Sequence, residues 1–461
     1  MRRYAFAILL LLPAAALAQS LALTGVTVID ATGAAPRPDM TVVIDGGRIT
    51  ALGRASEVAL PEKTHVVPAA GKFLIPGLWD MHVHWNDAAY LPLFTANGVT
   101  GVRIMWGLPP HLDMRKRISD GSLVGPRLVL AGPLVDGPRP FWKDSIAAAT
   151  PEQGRQAVQR TRAEGYDFVK VYDSLPRAVF FAVADEARKH NLPLAGHAPA
   201  AVGVATASDA GQKSIEHLTG MLIAVSSLEL ELRREFAAAA RLEAAERGAP
   251  LRRLGARMLE TYDADKAAAL FARLKKNGTW QVPTLTVLRF VAYTREPQHA
   301  SDPRLRYMPA WVRSMWANDP RYQDVLPEQL DHQKKIFQRR LELVGEMHRA
   351  GVGILAGSDA LNPWCFPGFG LHDELEWLVK AGLSPMAALQ AATRNPAVYL
   401  DRVQELGTVE QGKVADLVLL EADPTQDIRN TCRIAAVIAG GKLFSREALD
   451  RVLGDIERLA N

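Results

Sequence analysis

The hydrophobic pattern of this chain has one texture at both ends and another in the middle. From Leu21 to about residue 70, short apolar or alternating stretches (Leu21–Ile29, Met40–Ile44, Ile49–Leu52) are separated by the turn signals Ala34-Ala35-Pro36 and Asp45-Gly46-Gly47. Period-two alternation bounded by Gly and Pro predicts β-strands. The same texture returns in Lys413–Leu420 and Ile434–Leu443. Strand-rich ends around a different middle predict one small β-sandwich domain built from residues 19–75 and 400–445, with residues 446–461 as a closing helix.

Between these ends, short apolar strands alternate with amphipathic helical stretches, the pattern of parallel β/α units. The strand candidates are Phe73–His84, Gly98–Met105, Arg127–Leu134, Phe168–Tyr172, Leu194–His197, Ser214–His217, Gln281–Thr286 and Val352–Asp359. Eight such units over roughly 320 residues predict an α/β fold, a (β/α)8 TIM barrel with insertions, spanning residues 76–399. A doubly wound sheet is the rival, but no Gly-rich phosphate loop follows any of these strands. Ser226–Lys276 and Pro327–Ala350 read as helical and lie on the route of the loops above a barrel mouth. They are either a cover over that mouth or a solvated insertion.

The N-terminus stands apart. Arg2 and Arg3 precede the apolar run Ala5–Leu12, then Pro13 and Ala16-Leu17-Ala18. A basic start, a short apolar run and an A-x-A site predict a secretory signal over residues 1–18, cut after Ala18, with the mature chain periplasmic or secreted. A retained membrane anchor is the alternative, for which the run is short. Loss of Arg2 and Arg3 lowers the formal charge from +4 to +2. A near-neutral chain with no basic block gives no electrostatic case for nucleic acid or an anionic membrane, which leaves a small-molecule substrate as the expected partner and a homo-oligomer as an open option. Cys365 and Cys432 lie in different segments and resemble no zinc motif; a disulfide and two free thiols are both open.

The chemistry sits at strand ends. His82 and His84 are spaced i, i+2, which on a strand puts both on one face. Lys170 lies in Phe168-Val169-Lys170-Val171-Tyr172, His197 in Ala195-Gly196-His197, His217 in Ile215-Glu216-His217, and Asp359 in Gly357-Ser358-Asp359. In a barrel all strand C-termini open onto one face, so these side chains converge. Neutral imidazoles and a carboxylate are metal ligands. A cationic lysine among Phe168, Val169 and Val171 carries a desolvation cost. Carboxylated by CO₂ at its amine, it becomes an anion able to bridge two cations; snorkelling, or pairing with an acid such as Asp173, is the alternative. Tyr172 shares a strand face with Lys170 and is a candidate to hydrogen-bond a substrate carbonyl or carboxylate, with plain barrel packing as the alternative. Arg103 and His372 are weaker candidates for substrate contact, against structural roles as a salt-bridged arginine and part of a capped helix start.

The set of HxH, strand-four Lys, strand-five His, strand-six His and strand-eight Asp resembles the amidohydrolase superfamily, in its binuclear, carboxylated-lysine subtype, near imidazolonepropionase-like and Xaa-Pro dipeptidase-like proteins. Ile75-Pro76-Gly77-Leu78-Trp79-Asp80 and Gly407-Thr408-Val409-Glu410-Gln411-Gly412-Lys413-Val414-Ala415-Asp416-Leu417-Val418 carry the likeness toward the two ends. The resemblance implies two divalent ions, with zinc as the expected metal. His82, His84 and Asp359 would hold the more buried ion, His197 and His217 the more exposed one, and Lys170, as N6-carboxylysine, would bridge them. Asp359 would also serve as the general acid and base. The implied activity is hydrolysis of C–N bonds, amide or peptide, in small substrates such as dipeptides or N-acyl amino acids. Ester, lactone or phosphotriester hydrolysis on the same site is one alternative, and a non-catalytic periplasmic metal-binding protein another.

Overall fold

The computed structural model describes residues 20–239, 246, 248–323 and 325–461; the expected signal segment lies outside them. Along the chain the strands are β1 (Leu21–Val28), β2 (Arg37–Asp45), β3 (Arg48–Arg54), β4 (His65–Pro68), β5 (Phe73–Pro76), β6 (Leu78–Val83), β7 (Val99–Ile104), β8 (Arg127–Leu130) and β9 (Val135–Asp136). They continue with β10 (Ile146–Ala147), β11 (Val169–Val171), β12 (Leu194–Gly196), β13 (Gln212–Glu216), β14 (Trp280–Val282), β15 (Leu417–Leu420), β16 (Ile434–Ala439) and β17 (Lys442–Ser445).

Strands from both ends of the chain share one sheet. β1–β5 and β15–β17 form an eight-stranded sheet in the order β17-β16-β15-β5-β1-β2-β3, with β4 also paired to β1. The expected sandwich takes the form of a single sheet curled over its own core. Its far parts meet where the Ile49 amide donates to the Lys413 carbonyl at 2.9 Å and the Ala415 amide to the Gly47 carbonyl at 2.9 Å. Irregularities in β1 explain the curl: the β1–β2 register shifts on both sides of Val26, and Gly25 between the paired residues has φ +71°. Bulges bend a strand and increase its twist. Leu23, Val26, Val42, Leu74, Leu417 and Ile438 fill the hollow.

The middle of the chain is a TIM-barrel-like α/β domain. β6-β7-β8 form one parallel sheet and β10-β9-β11-β12-β13-β14 another. A parallel bridge from Ala131 to Phe168 links them on one side. On the other, bridges Gln281–Ile354 and Val83–Ala360 set residues 352–360 between β14 and β6. This segment was expected as a regular strand and runs instead as isolated bridges. Glycines account for the difference, since they weaken a strand but permit close approach. A Cβ on Gly353 would lie 2.3 Å from the Trp280 ring, and one on Gly357 would lie 2.8 Å from the His82 Cβ.

Three other boundaries differ from expectation. The apolar run Phe73–His84 predicts one strand, but the chain changes sheets at Gly77: β5 pairs with β15, and β6 with β7. A Cβ on Gly77 would overlap the Thr100 side chain at 2.2 Å. Gln281–Thr286 stops at Val282, because Pro283 has no amide to donate and Thr284 turns with φ +49° into the helix Leu285–Ala292. Ser226–Lys276 is helical in pieces, Glu229–Ala239, Gly248–Glu260 and Ala264–Asn277, while Pro327–Arg349 is one helix. A further helix covers Arg446–Ala460. Both cysteines are free, Cys365 buried and Cys432 exposed. Among the described residues no helix is long and apolar enough to cross a membrane.

Candidate metal centre

His82 is the penultimate residue of β6, and His84 immediately follows the strand. The segment 352–360 is laced to this strand by backbone bonds: Met81 amide to Ala356 carbonyl at 2.9 Å, Asp359 amide to His82 carbonyl at 2.8 Å, and His84 amide to Ala360 carbonyl at 2.8 Å. That lacing places Asp359 against both histidines. Asp359 and His217 hold φ near +60° (60° and 58°), a left-handed backbone unusual for these residues. Such strain costs about 1–3 kcal/mol each and collects at functional sites.

His82, His217 and Asp359 offer ligand atoms that all lie within 4.8 Å of one another. His84 joins them, its Nε2 3.1 Å from His82 Nε2 and 3.1 Å from Asp359 Oδ1. The His197 ring stands 5.0 Å from that of His217, and the Tyr172 ring 4.1 Å from that of His197. The strand-end histidines and Asp359 thus meet at one rim. Lys170 is buried on β11, and its stem passes over Gly196: a Cβ there would lie 3.1 Å from Lys170 Cδ. Burial pushes the Lys170 ammonium down to about 8, against the pull of Glu216 and Asp359. Among the described residues it makes no hydrogen bond or ion pair.

Three of the four imidazoles are oriented from behind. His82 Nδ1 faces Glu216 Oε2 at 2.8 Å, His197 Nδ1 faces Asp173 Oδ1 at 2.9 Å, and His217 Nδ1 faces Thr284 Oγ1 at 2.7 Å. The Thr284 hydroxyl donates to the Pro283 carbonyl, so it accepts from His217. All three contacts assign the proton to Nδ1 and leave Nε2 with a free lone pair, the tautomer that binds metal. Burial, reinforced by the positive charge of Lys170, holds His82 well below the ordinary histidine range, and burial does the same to His217. For Asp359, burial alone would raise the pKa; attraction to His217 and His84 outweighs it and holds the carboxylate ionised.

These residues fit a bound cation. His84 Nδ1, His197 Nε2 and Asp359 Oδ1 are buried with no hydrogen-bond partner among the described residues. The lone pairs of His82 Nε2, His84 Nε2 and Asp359 Oδ1 crowd one another at 3.1–3.4 Å. Facing acceptors repel unless a proton or a metal ion sits among them.

Two of the expected substrate contacts are elsewhere. Arg103 is fully inaccessible, with Nη2 donating to both Glu216 oxygens at 2.9 and 3.0 Å, Nη1 to Ser214 and Tyr399, and Nε to the Met81 carbonyl. Every nitrogen is occupied, so it fixes Glu216 behind His82 and cannot reach a substrate. His372 is buried between Thr431 Oγ1 at 2.9 Å and the Asn97 carbonyl at 3.0 Å, away from the rim. Tyr172 does face the cluster; its hydroxyl oxygen accepts from Trp142 Nε1 at 3.0 Å, which leaves its proton free to donate. Glu216, Asp173 and Thr284 were not foreseen as orienting groups. The one available signal was an acid directly beside a strand-end histidine or lysine strand.

A barrel-like frame with imidazoles and a carboxylate gathered at its strand ends is an arrangement able to hold a metal ion. The chain belongs to the amidohydrolase family, whose family model matches residues 92–444. It is 24% identical to the ochratoxinase of Aspergillus niger over 89% of this chain and 83% of the fungal one. Among solved structures, a bottromycin amidohydrolase superposes with TM-score 0.77 at 24% identity, covering 96% of this chain and 91% of that one. A Xaa-Pro dipeptidase with methionine bound in its active site superposes with TM-score 0.67 at 20% identity, covering 93% and 100%. These superpositions carry the fold.

Proposed function

We propose that this protein is an exported, metal-dependent amidohydrolase that cleaves C–N bonds of small amides or peptides carrying a free carboxylate, such as dipeptides or N-acyl amino acids. The carrying observation is the convergence of His82, His84, His217 and Asp359, with Nε2 of both strand-end histidines crowded against an otherwise unpartnered Asp359 Oδ1. Activities in the names of the relatives, on ochratoxin, Xaa-Pro dipeptides and a bottromycin, agree in being amide or peptide cleavage. The reading includes a closed (β/α)8 barrel over residues 76–399, for which the bridges on both sides of residues 352–360 are the support.

Two divalent ions, held by His82, His84 and Asp359 and by His197 and His217 with carboxylated Lys170 between, would acidify a water and polarise the scissile carbonyl. The protein's own part is proton traffic and placement. Asp359, ionised and against the histidines, takes the proton from the attacking water and returns it to the leaving nitrogen. The free Tyr172 proton is donated to the substrate carbonyl or carboxylate.

The test is a panel of N-acyl amino acids and dipeptides, with ester and lactone controls, on zinc-loaded and chelated protein. Metal-dependent amide cleavage is expected, and Asp359→Asn is expected to lower kcat by about 10²–10⁴-fold. Exclusive cleavage of esters or lactones, or unchanged turnover in Asp359→Asn, contradicts the proposal. Export is checked by mass spectrometry of the secreted chain, expected to begin at Gln19.

A further inference from the structure

Beside the metal centre lies a cavity of about 240 Å³ that shares His217 and Asp173 with it. Its walls are largely apolar, with Leu222, Ile223, Phe236, Met258, Leu288 and Ile336 from the insertion helices and the barrel. Arg340 also lines it, on the helix Pro327–Arg349 one turn beyond Ile336.

Arg340 is anomalous. Its neighbour Arg339 pairs with Glu342 and Glu346 at 2.9 Å. Among the described residues Arg340 has no ion pair and no hydrogen bond, and its Nε is buried without a partner. Burial is the only influence on its guanidinium and pulls it down to about 10. Arg340 is half-buried, and a buried, unpartnered guanidinium N–H is costly unless an acceptor arrives.

The acids of the cavity are already committed. Asp173 faces His197 Nδ1 at 2.9 Å, and Glu229 faces Lys266 at 2.9 Å. The second cavity arginine, Arg233, donates from Nε and Nη2 to the Ala200 carbonyl, both at 3.1 Å, and adds a positive charge nearby. The cavity therefore offers an apolar wall, acids already held by other partners, and one fork of unused donors. That fork matches a carboxylate, which accepts two parallel N–H bonds from a guanidinium.

We propose that Arg340 anchors the carboxylate of the substrate, so that the molecules cleaved are acylated or aminoacylated acids with an apolar group in this cavity and the scissile amide at its His217 end. The proposal deepens the hydrolytic reading and rests on it for the placement of the scissile bond. An arginine that only supported the helix would have its donors on protein acceptors.

Calorimetric titration separates the two readings, because it does not need turnover. The zinc-loaded full chain is titrated with 3-phenylpropionate and with the neutral 3-phenylpropanamide. The acid is expected to bind at least about tenfold tighter, the scale of a hydrogen bond to a charged group. In Arg340→Met, which keeps the apolar stem, the acid is expected to fall to the level of the amide while the amide is unchanged, and Arg340→Lys is expected to fall between. Equal binding of acid and amide by the native chain, binding of neither, or a preference that survives in Arg340→Met overturns the assignment, the last because the carboxylate then sits on another cation. For an N-acyl amino acid that the native enzyme cleaves, Arg340→Met is expected to raise KM about tenfold or more with kcat changed far less. An Arg340-dependent preference without any amide cleavage would leave the anchor standing and sink the hydrolytic reading instead.

Discussion

At the scale of single residues, the site is a set of imidazoles, three of them held from behind. The hydrogen bond from His197 Nδ1 to Asp173 does two things: it fixes the ring beside His217 and keeps the lone pair on the inward nitrogen. Removing such an orienting carboxylate typically weakens metal binding by about 10–100-fold. Asp173→Ala is therefore expected to lose the more exposed metal at chelator concentrations that leave the native chain loaded, a loss read by competition with a chromophoric chelator. An unchanged affinity would remove Asp173 from the account. These orienting partners were the part least legible in the sequence. His82, His84, Lys170, His197, His217 and Asp359 could be read because ligand-type residues at successive strand ends are a recognisable pattern. Glu216 could not, because a glutamate in a strand ordinarily reads as an exposed position. Only the fold shows it buried between Arg103 and His82. The same pairing removed Arg103 from the list of substrate contacts, since a charge-complementary partner four strands away leaves no trace in local pattern.

Among elements, the sequence was most readable where short strands are fully buried, as in β7, β11 and β12. It was least readable where glycine or proline changes the path without breaking the apolar run. Phe73–His84 looks continuous, yet Gly77 hands it from the curled sheet to the barrel. Val352–Asp359 looks like a strand, yet Gly353 and Gly357 reduce it to bridges that still deliver Asp359. A pH prediction belongs at this scale. Glu374, on the helix Phe369–Lys380, accepts from the Leu285 and Thr286 amides and the Thr286 hydroxyl, tying that helix to the turn after β14. Burial raises its carboxyl to about 8, against those donors. Its folded pKa lies above the unfolded value near 4.5, so the unfolded chain releases the proton first as pH rises. The contribution is complete below pH 4.5 and is lost as pH rises toward and through 8, at no more than about 1.4 kcal/mol per pH unit. Glu374→Gln cannot titrate. Whatever its constant offset, the Tm of the native chain is expected to fall relative to that of the variant between pH 5 and 8. Parallel pH profiles would show that Glu374 is ionised throughout.

For the whole molecule, both ends of the chain are needed to complete the curled sheet, and the barrel-like domain hangs between them. β5 and β15 pair across more than three hundred residues of sequence, Ile75 opposite Val418, and β6 continues from β5 directly into the two strand-end histidines. The scaffold therefore positions His82 and His84 from its most constrained junction, while the insertion helices that carry Arg233 and Arg340 are placed to shape what reaches them. All of this rests on the cluster holding a pair of cations with Lys170 as the shared anionic bridge. Elemental analysis of the metal-saturated, desalted protein tests that most directly. About two divalent ions per chain are expected, falling to one or fewer in Lys170→Ala. No more than one ion in the native chain under saturating conditions, or two retained without Lys170, would contradict it.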